Sequence, residues 1–323
     1  MTQPSLRRLG RSGLAVSTTG LGCNNLGRKG TRTADIEGST AVVHAAIDAG
    51  ITLFDVADIY GAQPGVSEEI LGVALGARRD QVVLATKFGL DAQGVNGRDD
   101  DARGSRRYLR QSVEASLRRL KTDWIDLYQL HAPDPLTPIA ETLAALDDLV
   151  TSGKVRYLGH SNLAGWQLAD AAWTARELGT VPFISAQNEY SLLRRDVEAE
   201  LLPAATHFGV GVLPFFPLAN GLLTGKYRRG EAPAGTRLTD LKPGLLESAP
   251  WEAVEQLAQF AESRGVTMLQ VAFGWLLAQP QVASVIAGAT SPEQVAANAE
   301  AANAWTPDQS DLDAIDAIFP RGG

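Results

Sequence analysis

Four polar residues that could carry out proton chemistry stand where apolar segments of the sequence end. Asp55 and Tyr60 lie in "FDVADIYG", Lys87 ends "QVVLATK" and His131 ends "DLYQLH". Each one alone has an ordinary structural explanation, as a loop acid, a rim aromatic, a solvated strand end or a half-buried imidazole. Together they supply a carboxylate, a phenol, an ammonium and an imidazole, which suit a proton-delivery site.

This set of groups suits the protonation of a developing alkoxide. A free phenol has a pKa of about 10, which matches proton donation at neutral pH poorly. An ammonium such as Lys87 beside Tyr60 favours the phenolate and lowers this pKa, while Asp55 would keep the lysine charged and in place. An N–H of His131 could orient a carbonyl oxygen. The chemistry also requires a source of hydride.

Later segments carry groups that suit a dinucleotide. The strings "HSN" and "AQNE" place amides and hydroxyls at the ends of apolar segments, and Phe215 can stack on a planar ring. "GATSPEQ" (288–294) combines a glycine with a capped helix start, which predicts an anion site. It contains no arginine for the bidentate contact that a 2′-phosphate favours.

Short apolar segments alternate with amphipathic ones along the whole chain. The short segments are rich in Val, Ile, Leu and Phe, as in strands buried on both faces of a parallel sheet. They cover residues 17–22, 52–57, 81–87, 126–131, 155–161, 183–189, 209–216 and 283–289. Helical patterns cover residues 33–50, 66–78, 105–120, 137–154, 164–178, 195–208, 251–264, 267–279, 291–302 and 307–319.

Eight strands alternating with helices predict an α/β fold, a (β/α)8 TIM barrel, as a single domain over residues 1–323. The alternative, an open doubly wound sheet, needs a glycine-rich fingerprint after its first strand, and Asn25 occupies the third glycine position of "GLGCNNLG". Helix ends are predicted at Ser67, as an N-cap, and at Gly50, after a C-terminus. Long loops at 91–104 and 218–244 follow strand ends, on the face where barrel active sites lie.

Composition narrows the classes of function. Among 323 residues, 29 basic and 37 acidic side chains give a net charge of 29 − 37 = −8, which argues against nucleic-acid and membrane-surface partners. The single cysteine, Cys23, excludes a disulfide framework and a multi-cysteine metal site, and we expect it to be buried. No metal is predicted. Because neither a signal peptide nor a long apolar span is present in the sequence, we expect a cytoplasmic protein.

Taken in order, these segments resemble the aldo-keto reductase family over nearly the whole chain. The resemblance is carried by "FDVADIYG", "LATKFG", "DLYQLH", "GKVRYLGHSN", "QNEYSLL" and "PLANGLLTGKY". It implies a barrel enzyme that reduces a small-molecule aldehyde or ketone to an alcohol with NADP(H), or alternatively with NAD(H). In that family's pattern Tyr60 is the general acid, supported by Asp55, Lys87 and His131.

The resemblance also implies a set of cofactor-binding residues. Ser161, Asn162 and Gln187 would hold the nicotinamide amide, and Phe215 would stack. Gly22, Leu218, Gly221 and Lys226 would line the cofactor channel, and Gly288, Thr290, Gln294 and Asn298 would lie at the adenosine end. The family often has arginine or lysine at the positions of Thr290 and Gln294. Losing one charged hydrogen bond there would reduce the preference for NADPH by roughly 10–100-fold.

Two other functions remain open at this point. Lys87 could form a Schiff base as in an aldolase, since barrels also host that chemistry. The chain could instead be a cofactor-binding regulatory subunit resembling channel β subunits, which would show slow single oxidation of the cofactor without steady turnover. The Tyr-x-x-x-Lys pair of another dehydrogenase class is absent from the sequence.

Overall fold

Strands of a closed parallel barrel form the framework of the computed structural model, which describes residues 5–233, 236–240 and 242–321. An antiparallel hairpin of β1 (Leu6–Arg8) and β2 (Ala15–Ser17) comes first. The parallel strands are β3 (Thr19–Gly22), β4 (Leu53–Asp55), β5 (Val83–Phe88), β6 (Ile125–Leu130), β7 (Val155–Ser161), β8 (Phe183–Gln187), β9 (Gly211–Val212) and β10 (Val285–Gly288).

Strands β3 to β9 pair in chain order, and β10 pairs with β3. The remaining gap, between β9 and β10, is bridged by backbone hydrogen bonds. The Val212 N–H donates to the Gln281 carbonyl (2.7 Å), that of Ala283 donates to Val212 (3.0 Å), and that of Ile286 donates to Pro214 (3.1 Å). The sheet therefore closes, the predicted (β/α)8 barrel is confirmed, and the doubly wound alternative is excluded.

Every predicted helix is present among the described residues, with ends that differ by up to three positions, except that the helix predicted over 195–208 begins only at Leu201. The helices are α1 (Ile36–Asp48), α2 (Val66–Leu75), α3 (Arg106–Leu120), α4 (Ile139–Thr151), α5 (Gly165–Leu178), α6 (Leu201–Phe208), α7 (Arg237–Asp240), α8 (Pro243–Glu247), α9 (Trp251–Ser263), α10 (Met268–Leu277), α11 (Pro292–Ala304) and α12 (Gln309–Ile318). None of the helices in the described part of the chain is long and apolar enough to cross a membrane.

Of the two residues predicted at helix ends, Gly50 is confirmed and Ser67 is wrong. Gly50 follows α1 with a φ of 81°, in the left-handed region that glycine tolerates. The N-cap of α2 is Gly65, with a φ of 88°, rather than Ser67. The Ser67 hydroxyl instead donates to the Cys23 carbonyl (2.6 Å), which ties the start of α2 to the end of β3. Cys23 is buried as predicted, and burial raises the pKa of its thiol.

The β1–β2 hairpin was not predicted from the sequence, because each of its strands has only three residues. It packs across the amino-terminal end of the barrel, where Leu9 and Val16 join interior side chains such as Leu127. A Cβ at Gly10, which has a φ of 60°, would overlap the carbonyl oxygen of Gly209. The hairpin thus closes the end of the barrel opposite to the predicted active-site rim.

Both predicted long loops lie at the carboxyl ends of strands. The first, 91–104, separates β5 from α3 and places the buried Asn96 amide against Asp58 (2.7 Å). The second, 218–244, is less irregular than predicted, because it contains a 3-10 helix (Ala219–Thr224) as well as α7 and α8. Residues 234, 235 and 241 of that predicted loop lie outside the described residues.

A buried ion pair joins α2 and α3 to the sheet. Glu68 is fully buried, and its carboxylate accepts from the Arg119 guanidinium (2.7 Å) and from the Thr86 hydroxyl of β5 (2.6 Å). Arg119 also donates to the Asn96 side chain (2.7 Å). One charged group therefore holds two helices, a strand and the 91–104 loop together.

Arg119→Ala should destabilise the fold strongly. The change leaves the Glu68 carboxylate buried without its cation, so we expect the free energy of unfolding to fall by about 3–5 kcal/mol. Urea denaturation curves would measure the loss. Arg118→Ala, at an exposed position of the same helix, is the matched control, with an expected change within about 0.5 kcal/mol. Equal unfolding midpoints for the two variants would contradict the role given to the buried pair.

Candidate active site

The carboxyl ends of the barrel strands open into a cavity of about 830 Å³. All of the residues predicted for the site line this cavity except Lys87, which lies beneath it. Those lining it are Gly22, Asp55, Tyr60, His131, Ser161, Asn162, Gln187, Phe215, Leu218, Gly221, Lys226, Gly288, Thr290, Gln294 and Asn298. Residues separated by more than 200 positions in sequence are therefore brought to one cavity at the same end of the barrel.

Lys87 is fully buried, and its ammonium has three acceptors. Its Nζ donates to Asp55 Oδ2 (2.7 Å), to the Val56 carbonyl (3.0 Å) and to Tyr60 Oη (3.3 Å). Burial alone would lower the pKa of Lys87, but the charges and hydrogen bonds of Asp55 and Tyr60 raise it above its usual value. The lysine is therefore charged, with each of its N–H groups directed to a partner.

The second oxygen of Asp55 receives two amide groups. Gln187 Nε2 donates to Oδ1 at 2.8 Å, and Gln129 Nε2 donates to it at 3.3 Å. Gln187 is predicted to hold a nicotinamide amide, and in this structure its amide nitrogen donates to the Asp55 carboxylate. Gln129 was missed, although it stands two residues before His131 and therefore projects from the same face of the strand.

The pKa of Tyr60 is raised rather than lowered. Burial is the largest cause, and the Asp55 charge adds to it, while Lys87 acts in the opposite direction. The sequence predicted the direction of the lysine's effect, and burial outweighs that effect. At neutral pH the phenol is therefore protonated and lies next to a cation.

His131 lies on the other side of the phenol. Its ring meets that of Tyr60 edge to face, with centroids 5.9 Å apart. Burial lowers the pKa of His131 well below its usual value, and the Lys87 charge lowers it further. The imidazole is therefore neutral at neutral pH and can donate one N–H without adding charge.

The ends of β7 and β8 are joined by side chains predicted to bind the cofactor. The Ser161 hydroxyl donates to the Gln187 carbonyl (2.8 Å), and Asn162 Nδ2 donates to the His131 carbonyl (2.9 Å). Asn162 has a φ of 59°, a left-handed conformation that asparagine tolerates better than most residues. This wall of the cavity is therefore held by its own hydrogen bonds.

The segment after β9 forms another wall, with Phe215 and Phe216 in edge-to-face contact (5.2 Å). Phe216, Ala219, Asn220 and Gly221 all have a positive φ, between 45° and 102°. Such turns direct successive backbone N–H groups to one side, which suits an anion. Nearby, Lys226 lines the cavity with its ammonium over the Tyr227 ring (5.1 Å).

Besides the backbone N–H groups after β9, a second observation indicates that the cavity residues suit a dinucleotide. Two lining side chains, Asn25 and Asn220, each have a buried Oδ1 without a hydrogen-bond partner in the described structure. Buried polar atoms normally have a partner, so a ligand with hydroxyl or amino donors would complete them. No group of three or more His, Cys, Asp or Glu side chains in the described residues could hold a metal ion.

The far end of the cavity lies at the start of α11. There the Gln294 Oε1 accepts from the Thr290 backbone (2.8 Å) and hydroxyl (3.2 Å), and Ser291 caps the helix. The loop after β3 lies alongside, with Asn24, Asn25 and residues 28–31 in the cavity wall. The sequence analysis missed this loop, although its position after the first barrel strand could have indicated it.

Comparisons with known proteins agree on one family. The family model described as Aldo/keto reductase family matches residues 18–319. The uncharacterized oxidoreductase YrpG of Bacillus subtilis (strain 168) is 38% identical over 323 residues, which cover 98% of this chain and 96% of that protein. L-glyceraldehyde 3-phosphate reductase of Escherichia coli (strain K12) is 36% identical over 333 residues, covering 99% of this chain and 94% of that protein.

A relative named for a different role is about as similar. A probable voltage-gated potassium channel subunit beta of Oryza sativa subsp. japonica is 36% identical over 309 residues. The match covers 91% of this chain and 90% of that protein.

The charges around Tyr60 predict opposite effects of two substitutions on its pKa. Lys87→Met removes a charge and a hydrogen bond that favour the phenolate, so the pKa should rise further. Asp55→Asn removes a charge that opposes the phenolate, so the pKa should fall. Titration of ¹³C-labelled tyrosine by NMR, with Tyr60→Phe to assign the signal, would measure both shifts. Shifts of the same sign in both variants would contradict the electrostatic account.

Proposed function

The chain belongs to the aldo/keto reductase family, and from this premise we propose that it reduces an aldehyde or ketone with NADPH, using Tyr60 as the general acid. Family membership and the relatives named as reductases make the protein an oxidoreductase. The proposal for the site depends on one observation above all. The Lys87 ammonium lies within hydrogen-bonding distance of both Asp55 and Tyr60, below a cavity that fits a dinucleotide.

Each group has a specific task in the proposed reaction. A bound nicotinamide supplies the hydride. Tyr60 donates its proton to the substrate oxygen, and its raised pKa keeps that proton in place until the oxygen becomes basic. The Lys87 charge then stabilises the phenolate that remains, and Asp55 keeps the ammonium charged and oriented. The neutral His131 donates an N–H to the carbonyl oxygen and so positions it beside the phenol.

The same geometry weighs against a Schiff-base aldolase. A nucleophilic lysine must be neutral and must reach the substrate. Lys87 is fully buried, its N–H groups have three partners and its pKa is raised. All of these features favour the charged, fixed form.

The likeness to potassium channel β subunits supports a second candidate, a cofactor-binding regulator. Steady consumption of NADPH with a panel of aldehydes would favour the enzyme over this regulator. L-glyceraldehyde 3-phosphate belongs in the panel because a relative is named for its reduction. A single slow oxidation of bound cofactor with every aldehyde would favour the regulator.

The proposed cofactor preference can be measured without catalysis. Titration of NADPH and NADH into the protein should give tighter binding of NADPH. Equal affinities for the two dinucleotides would refute the preference and leave the proposed reduction intact.

Tyr60→Phe should abolish most turnover while dinucleotide binding stays unchanged. The ring remains and the proton donor is lost, so we expect kcat to fall by roughly 10²–10⁴-fold. Steady-state kinetics and cofactor titration on the same preparation would separate the two effects. Tyr157→Phe is a suitable control, because Tyr157 packs near the amino-terminal end of the barrel. A Tyr60→Phe variant with nearly native kcat would remove this residue from the mechanism.

A further inference from the structure

If the proposed function is right, the uncharged residues at the start of α11 leave the 2′-phosphate of NADPH without a cationic partner. A 2′-phosphate favours a guanidinium or an ammonium. Thr290 and Gln294, which occupy the expected positions, are uncharged, and Thr290 donates to Gln294 both through its backbone and through its hydroxyl.

Cations reach the same cavity from the loop after β3. Arg28 and Lys29 line it together with Thr290 and Gln294. The loop also contacts the region around α11 directly, since Asn25 Nδ2 donates to the Ala289 carbonyl (3.4 Å). The loop is therefore positioned to place positive charge beside the helix start.

A further contact of the same loop lies outside the cavity. The Arg32 guanidinium lies 3.7 Å from the Glu293 carboxylate, and both side chains are largely exposed. Glu293 belongs to the first turn of α11, so residues on both sides of Lys29 lie beside this helix, although an ion pair between two exposed side chains contributes little to holding the loop.

The charge balance of the cavity points to an anionic ligand. Its charged lining consists of Arg28, Lys29, Lys226 and Asp55, and Asp55 is already paired with Lys87. Within the described residues, no carboxylate oxygen lies within 4 Å of a side-chain nitrogen of Arg28, Lys29 or Lys226. Arg28 is partly buried, and burial lowers its pKa. A partly desolvated guanidinium without a counter-ion would be stabilised by a bound phosphate.

We propose that Arg28 and Lys29 bind the 2′-phosphate of NADPH and so supply the discrimination that the α11 segment lacks. The loop after β3, rather than Thr290 and Gln294, then makes the main charged contact with this phosphate. Lys226 lies on the separate segment after β9 and remains available for the pyrophosphate, which NADH and NADPH share.

Calorimetric titration of an Arg28→Ala/Lys29→Ala variant tests this assignment directly. The probes are NADPH, NADH and adenosine 2′,5′-bisphosphate, which carries the 2′-phosphate without a pyrophosphate or a nicotinamide. We expect NADPH and the bisphosphate to bind about 10–100-fold more weakly and NADH to bind as in the native protein. Unchanged NADH binding also shows that the variant is folded.

Two further variants sharpen the comparison. Arg32→Ala removes the same charge from the same loop outside the cavity and should leave all three affinities unchanged. Arg28→Lys keeps the charge without the planar fork, so it should weaken NADPH binding less than Arg28→Ala does.

The remaining outcomes would overturn the assignment in distinguishable ways. Equal losses for NADPH and NADH would place the two cations at the pyrophosphate. Unchanged cofactor binding with a raised KM for glyceraldehyde 3-phosphate, but not for glyceraldehyde, would place them at a substrate phosphate. A native protein that binds neither dinucleotide would refute the proposed function and this inference together.

Discussion

The buried ion pair of Lys87 and Asp55 is the interaction on which the geometry of the cavity depends. Two charges withdrawn from water are destabilising, at a cost of order several kcal/mol per ion, unless their other hydrogen-bonding positions are also satisfied. The lysine meets this requirement with Val56 and Tyr60, and the carboxylate meets it with Gln129 and Gln187. Asp55, Lys87 and the two glutamines come from four different strands. Satisfying the pair therefore fixes four strand ends relative to one another.

A second buried network supports the loop that carries Tyr60. Burial, reinforced by the nearby Glu68 charge, raises the pKa of Asp58 to about 8. Asp58 is therefore largely protonated at neutral pH, and its carboxyl group lies against the Asn96 amide (2.7 Å) without needing a cation. Its backbone N–H donates to the Lys87 carbonyl (3.4 Å). The phenol is thus positioned by Lys87 and by the Asp58–Asn96 contact, which continues through Arg119 to the buried Glu68 carboxylate.

The fold was largely predictable because buried parallel strands and amphipathic helices leave strong periodic signals. The extent of β9 was not, since the apolar run continues to Phe216 whereas the strand ends at Val212, two residues before Pro214, which has no N–H to donate to a neighbouring strand. At the site, strand ends identified the polar groups but not their environment. The raised pKa of Tyr60 depends on burial, which only tertiary packing determines. Gln129 and Arg28 were missed because a glutamine within a strand and an arginine in a loop have no distinctive residue pattern, and only their positions relative to the strand ends could have indicated them.

The net charge of the chain and the charge of its cavity have opposite signs, and they govern different interactions. The net charge of −8 is spread over the whole surface, where salt screens interactions between charges more than about 8 Å apart. A dinucleotide inside the cavity would meet Arg28, Lys29 and Lys226 at short range. Contacts at hydrogen-bonding distance lie well within this screening length, and the partly buried Arg28 is the least screened of the three. An acidic protein can therefore hold an anionic cofactor, because the position of a few cations matters more there than the sum over the chain.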